Sequence, residues 1–303
     1  MKHLVKSLCL FVADRSRLVR GAARFIHNNA GKESDVNAAA ATDTYAFLKG
    51  KFIENGRQSA VDETARSGMV SRFEEIDRSV PIGSTPTDGL ILAELLINCR
   101  AKGDVVECGC YAGGSSAKLS IVAKAVGRQL LVFDSFEGLP VVDSFNLRDK
   151  HLRRSEEWAS DWTAGRYAAR MDEVKGNISQ FGEIDVCDFF KGWLCDTLNE
   201  ENLPPDVAFA FTDVDIPSSA RDCLVGLWPH LTDLGIYVSH DAAWVKVLKV
   251  LHDRKLWEEQ FKSYPPIFYG AGFGIYDSSP HIGYFVAGED VPDDYLKEIT
   301  IDK

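Results

Sequence analysis

Five short apolar runs, at 104–108 (DVVEC), 129–134 (QLLVFD), 184–191 (IDVCDFFK), 206–212 (DVAFAFT) and 235–239 (GIYVS), are interleaved with helix-like segments at 114–126, 172–181, 218–228 and 243–259. Strands that are apolar along their whole length need cover on both faces, and intervening helices allow them to run parallel. The alternation therefore predicts an α/β, Rossmann-like fold with a mostly parallel sheet between two helical layers. The stretch 266–287 holds aromatic and glycine-rich pieces with little between them and ends in Ile282-Gly283-Tyr284-Phe285-Val286. It is expected to close one sheet edge with antiparallel strands. Sheets of this kind bind ligands at the carboxyl ends of their strands, where the strand order reverses. Those ends carry Glu107-Cys108-Gly109, Asp134, Lys191-Gly192-Trp193, Asp213-Val214-Asp215 and His240-Asp241.

Composition narrows the class without naming it. The 303 residues are 45% hydrophobic and 26% charged, which argues against long disorder and against low-complexity architectures. No apolar run approaches the roughly 18 residues that cross a bilayer. A formal net charge of −11 and a pI of 5.2 speak against a general nucleic-acid binder, which clusters Lys and Arg on phosphate. Seven cysteines, none in a CxxC pair, and no pattern of a cleavable secretory signal lead to an expectation of reduced, buried thiols and a cytoplasmic protein.

Charge is uneven along the chain. Residues 1–30 hold Lys2, Lys6, Arg15, Arg17, Arg20 and Arg24 against the single acid Asp14, and their apolar residues recur at helical spacing. A basic amphipathic segment suits peripheral contact with an anionic membrane, a targeting role, or docking on its own domain or a second subunit. Residues 27–42 read as a small, polar linker, and 44–77 as helical with interruptions near Gly56 and Gly68. After the turn-rich Val80–Pro86 a helix is expected with Thr87 or Asp88 as its cap and Leu90, Ala93, Leu96 and Ile97 buried. This divides the chain into a helical extension, 1–79, and a domain over 80–303, with a lid insertion near 141–171 that contains Trp158 and Trp162.

The first strand runs into ECGCYAGGSS (107–116) and then a helix. Gly109, Gly113 and Gly114 allow a tight loop whose N–H groups approach an anion. A dinucleotide fingerprint requires GxGxxG, and Tyr111 stands where its second glycine belongs. Glu107 would repel a pyrophosphate yet can hold an ammonium, and Asp134 at the next strand end can accept ribose hydroxyls. A ligand with an ammonium, a carboxylate and a nucleoside fits, as S-adenosylmethionine does.

The strings GDVVECGCYAGGSS, LVFDSFEGLP (131–140) and FKGWLCDTL (190–198) resemble the macrocin O-methyltransferase (TylF/MycF-type) family over about residues 80–287. The resemblance implies a class I, S-adenosylmethionine-dependent O-methyltransferase on a seven-stranded sheet, acting on hydroxyls of sugars in natural products and forming a homodimer. It implies a methionine-moiety site at Glu107, Gly109, Tyr111, Gly113 and Ser115, ribose binding at Asp134 with Ser135 and Phe136 alongside, and Gly192 and Trp193 flanking adenine. It also implies Mg²⁺ on one aspartate after strand four and an adjacent aspartate pair after strand five.

Here the first of those positions is Asp213 and the pair reads His240-Asp241. Mg²⁺ prefers oxygen ligands, whereas imidazole suits softer ions. Three arrangements are open: a metal on Asp213 and Asp241 alone, a softer metal on all three residues, or no metal with His240 as general base near neutral pH, oriented by Asp213 and Asp241. The last is the favoured expectation. Asp215 reads as a helix cap or ion-pair partner, and His230 and His281 as structural. The expected activity is methyl transfer to a hydroxyl of a small-molecule glycoside or glycan acceptor. A non-catalytic scaffold and a nucleotide-dependent oxidoreductase are the alternatives.

Overall fold

The computed structural model describes residues 33–141, 163–242, 244–270 and 281–289. The basic segment 1–30, most of the lid insertion with Trp158 and Trp162, and residues 271–280 lie outside the described residues. None of the described helices is long and apolar enough to cross a membrane.

Helices α1 (Glu33–Glu54), α2 (Glu63–Ser79) and α3 (Pro86–Asn98) precede the sheet. Then come β1 (Asp104–Cys108), α4 (Gly114–Ala125), β2 (Leu130–Asp134), α5 (Met171–Phe181), β3 (Cys187–Lys191), α6 (Leu194–Thr197) and β4 (Val207–Thr212). The chain continues through α7 (Pro217–Leu227), β5 (Leu231–Ser239), α8 (Val245–Leu251), α9 (Arg254–Phe261), β6 (Tyr269–Gly270) and β7 (Gly283–Val286). The strands form one sheet in the order β3-β2-β1-β4-β5-β7-β6. Pairings from β3 through β5 are parallel, while β7 runs antiparallel to both β5 and β6, as the 266–287 pattern leads one to expect. The α/β, Rossmann-like reading holds.

Alternation along the strands sends side chains into two cores. Val105, Leu130, Val132, Ile236 and Val238 pack with α1 to α5, whereas Val106, Leu131, Phe133, Tyr237 and Phe285 pack with α6 to α9. The inner strands β1, β2 and β4 are therefore apolar on both faces because each face meets a helical layer, whereas the edge strand β3 exposes Asp188 and Lys191. The order reverses between β1 and β4, so the crevice above their carboxyl ends is where the fold leaves room for a ligand.

Three local expectations are corrected. The stretch 33–42, read as linker, is the first part of α1; its run of alanines is the best intrinsic helix former, which outweighs its polar neighbours. Gly68 does not interrupt α2, although Gly56 does sit in a single 3₁₀ turn, Asn55–Gln58. The cap of α3 is Thr85, not Thr87 or Asp88: Thr85 and Asp88 form a reciprocal capping box with Pro86 in the first turn. Leu90, Ala93 and Leu96 are buried as expected, and Ile97 half-buried. The single helix expected over 243–259 is two, because the Asp253 carboxylate accepts from the N–H groups of Lys255 and Leu256 and starts α9 afresh.

Candidate active site

A cavity of about 510 Å³ opens at the switch point, lined by residues from the ends of β1, β2, β4 and β5 and by the turn before α3. Its size is that of a small-molecule site. Its walls include Gly109, Tyr111, Ser115, Asp134, Ser135, Gly192, Trp193, Asp213, His240 and Asp241. Sequence reasoning thus brought most of its candidates into one place. Glu107, Gly113 and Phe136 do not line the cavity but sit behind it.

The loop after β1 is shaped by close contact with the loop after β4. Gly109 has φ +83, and a Cβ there would land on the carbonyl oxygen of Asp213. Asp213 N–H donates to the Cys108 carbonyl at 2.9 Å, which locks the two strand ends together. Tyr111, Tyr167 and Asp215 on the cavity wall, and Phe136 beside it, all hold positive φ without being glycine. Left-handed backbone at such residues carries strain and gathers at ligand sites.

Asp134 is the fixed point of one end of the cavity. One carboxylate oxygen accepts the Cys110 N–H and the other the Phe136 N–H, both at 2.7 Å, and its carbonyl accepts the Gly192 N–H at 3.0 Å. Three strand-end loops are therefore tied to one residue. Each carboxylate oxygen retains a lone pair for a further donor. Trp193, 40% exposed, presents an apolar ring at the same end.

Beneath the loop, Glu107 is wholly buried. One oxygen accepts the Ser115 hydroxyl at 2.6 Å, and the other has no hydrogen-bond partner among the described residues. Burial lifts its carboxyl to about 7, against the pull of Ser115.

At the opposite end, His240 lies between two carboxylates. Its Nδ1 is 3.3 Å from Asp213 Oδ1 and its Nε2 is 3.3 Å from Asp88 Oδ2. Burial disfavours the charged ring, but Asp213 and Asp88 outweigh it and hold the imidazolium well above the ordinary histidine range. Both nitrogens of the ring expected to act as a general base, oriented by Asp213 and Asp241, thus face carboxylate oxygens, one of them from Asp88. Asp241 is buried and its Oδ2 accepts from the N–H groups of Val214 and Asp215, at 2.9 Å each. Burial, and then the charge of Asp213, push its carboxyl up to about 6.

Asp215 is not a helix cap, since Ile216 holds that position; Asp215 instead offers its N–H to Asp241. His230 Nδ1 contacts the Pro204 carbonyl, a structural place as expected. His281 is different. It lines the cavity, with its ring 5.6 Å from that of His240 and 5.3 Å from that of Trp244. The sequence reading also missed Asp88, Tyr167 and Trp244. The capping-box spacing of Thr85 and Asp88 marked a helix start, but nothing in it pointed across the fold to residue 240.

The family model of macrocin-O-methyltransferases (TylF) matches residues 91–260. The chain belongs to that family. The rival reading as a nucleotide-dependent oxidoreductase falls with it. The chain is also 34% identical over 158 residues to the 8-demethyl-8-(2,3-dimethoxy-alpha-L-rhamnosyl)-tetracenomycin-C 4'-O-methyltransferase of Streptomyces olivaceus, a match spanning 50% of this chain and 57% of that protein. It is similar to the O-methyltransferase NovP (20% identity, TM-score 0.49, covering 71% of this chain and 78% of that one). It is likewise similar to the calicheamicin methyltransferase CalS11 (15% identity, TM-score 0.47, covering 77% and 96%).

The donor groups suit the cofactor that the family implies, and a divalent cation softer than the Mg²⁺ of an all-aspartate set. Asp134, oriented by two backbone donors beside a glycine loop, suits the ribose of a nucleoside. Asp213, His240 and Asp241 offer three ligand atoms within 4.8 Å of one another, a set that suits a divalent cation.

Proposed function

We propose that this protein transfers a methyl group from S-adenosylmethionine to a hydroxyl of a sugar in a glycoside or glycan. The observation that carries the reading is that one cavity joins the anchored Asp134 carboxylate to the Asp213, His240 and Asp241 cluster, in a chain of the TylF family.

Bound S-adenosylmethionine supplies an electrophilic methyl on a sulfonium. Asp134 takes the ribose hydroxyls, Trp193 and Gly192 border the adenine, and the loop through Gly109, Tyr111 and Ser115 surrounds the methionine moiety. Glu107, behind the cavity wall, acts on the ammonium group through Ser115, which lines the cavity and donates to the Glu107 carboxylate. The acceptor lies toward Trp244, His281 and Tyr167, whose rings offer flat apolar surface to a pyranose face. Its hydroxyl proton passes to the Asp213 carboxylate, the more accessible one of the cluster. A divalent cation held by Asp213, His240 and Asp241 would act as a Lewis acid on the hydroxyl. Holding the oxygen in line with the methyl is worth several kcal/mol in itself. A sugar acceptor is supported by the tetracenomycin relative, whose name specifies a rhamnosyl 4'-O position.

Transfer of labelled methyl from S-adenosylmethionine to a panel of rhamnosides tests the proposal. Turnover is expected with at least one of them, and Asp213→Asn is expected to lower kcat by about 100-fold or more. Bound cofactor product with no transfer to any hydroxyl would contradict it. A homodimer, checked by light scattering, belongs to the same proposal, as does membrane contact through residues 1–30. Reversing the basic residues there to Glu is expected to abolish liposome binding while leaving turnover of a soluble rhamnoside intact.

A further inference from the structure

The carboxylate that faces His240 Nε2 comes from an unexpected quarter. Asp88 lies in the first turn of α3, ahead of the 91–260 segment that matches the family, and it is wholly buried. The oxygen that faces the ring, Oδ2, is fixed from behind by the Thr85 N–H at 2.6 Å and the Thr85 hydroxyl at 2.8 Å. The capping box of a helix thus aims a carboxylate across the cavity at a side chain 152 residues away.

We propose that Asp88 is the positioning residue of a nitrogen-containing metal site made by Asp213, His240 and Asp241, which takes a borderline transition ion such as Mn²⁺, Co²⁺ or Zn²⁺ in preference to Mg²⁺. A histidine that ligates a metal through one ring nitrogen commonly donates its other N–H to a carboxylate, which fixes the tautomer and the ring plane. An ionised carboxylate only accepts. Asp88 lies outside the Asp213, His240 and Asp241 set, so with a cation bound Nε2 keeps its hydrogen toward Asp88, while Nδ1, 3.3 Å from Asp213 Oδ1, gives up its hydrogen and becomes the ligating nitrogen. The charge count points the same way. Three carboxylates surround one imidazole, so the buried site favours a cation beyond the single positive charge the ring can carry. Two carboxylates and an imidazole form a mixed oxygen and nitrogen set, which first-row transition ions accept and Mg²⁺ does not favour. The inference rests on the methyl-transfer reading only for the purpose of the site.

The test is a titration of chelator-stripped full-length protein with Co²⁺ and, separately, Mg²⁺, by calorimetry, with the Co²⁺ form also followed by the paramagnetically shifted signals of its histidine ring. Co²⁺ is expected to bind at least about tenfold tighter than Mg²⁺ and to give a shifted, exchangeable imidazole N–H signal. Asp88→Asn is expected to weaken Co²⁺ binding by about 10- to 100-fold and to remove or move that N–H signal. His240→Asp is expected to erase the ring signals and to lower the Co²⁺/Mg²⁺ preference by about tenfold or more. Thr85→Ala removes one of the two donors that fix Asp88 Oδ2 and leaves the backbone N–H and the carboxylate itself in place. It is expected to lower Tm and to weaken Co²⁺ binding by less than Asp88→Asn does. The proposal is overturned if wild-type Co²⁺ protein shows no shifted ring signal, if Asp88→Asn binds Co²⁺ as wild type does, or if Thr85→Ala weakens it as much as Asp88→Asn does. A parallel titration with S-adenosylhomocysteine keeps the two readings apart. Its failure with the Co²⁺ results intact counts against methyl transfer alone, and the reverse pattern counts against the metal site alone.

Discussion

Asp134 holds the nucleoside end together because its two carboxylate oxygens already accept the Cys110 and Phe136 N–H groups. Replacing it by Asn removes the charge and turns one acceptor into a donor that faces an N–H. Hydrogen bonds to a charged group contribute about 1.5–3 kcal/mol, so Asp134→Asn is expected to weaken S-adenosylhomocysteine binding by about ten- to a hundredfold, read by calorimetry. Glu107 makes a different prediction. Its carboxyl is raised from an ordinary 4.5 to about 7, first by burial. The folded protein therefore keeps the proton to higher pH than the unfolded chain does. The contribution to stability is full below about pH 4.5 and is lost as the pH rises to about 7, a change of about 3 kcal/mol. Glu107→Gln lacks that titration. Urea unfolding at a series of pH values from 4.5 to 8 is expected to show wild type losing stability relative to the variant across that window. A constant difference between the two would contradict the assignment. At this scale the strand-end residues were legible, since Asp134, Asp213, His240 and Asp241 stand at positions where chain pattern alone puts ligands. Asp88, His281 and Trp244 were not, because their partners are set by crossing elements and carry no local spacing.

Elements were readable where one physical signal dominated. The five runs of the parallel sheet are apolar over their full length, and their positions agree with β1 to β5 within a few residues. Boundaries failed where two signals competed: alanine propensity against polar neighbours at 33–42, and an aspartate cap against continuing apolar period at His252-Asp253. The loop from β1 to α4 yields a prediction that belongs to this scale. A methyl group at position 109 meets the Asp213 carbonyl and opposes a φ of +83. Gly109→Ala is expected to cost about 2–4 kcal/mol in denaturant unfolding and to weaken cofactor binding as well, because both strand-end loops must shift. Loss of stability with unchanged affinity would mean that the two loops are not coupled.

For the whole molecule, the helices ahead of the sheet are held to one another through buried charge as well as apolar contact. Arg66 is wholly buried; it pairs with Glu94 and donates to the Phe52 and Val61 carbonyls, so α1, α2 and α3 meet at one guanidinium. Arg66→Ala leaves Glu94 without that charge and is expected to cost about 3–5 kcal/mol in urea unfolding, with the cavity residues untouched and cofactor affinity within about twofold. The layered α/β architecture was legible from composition and period, while this buried pairing was not, since nothing in the spacing of residues 66 and 94 ties them together. A cofactor site at the switch point, anchored by Asp134, makes calorimetric titration of the full-length protein with S-adenosylhomocysteine the decisive measurement. One site per chain with a micromolar Kd is expected, about −8 kcal/mol. No measurable heat at millimolar ligand, or binding unchanged in Asp134→Asn, would contradict the account.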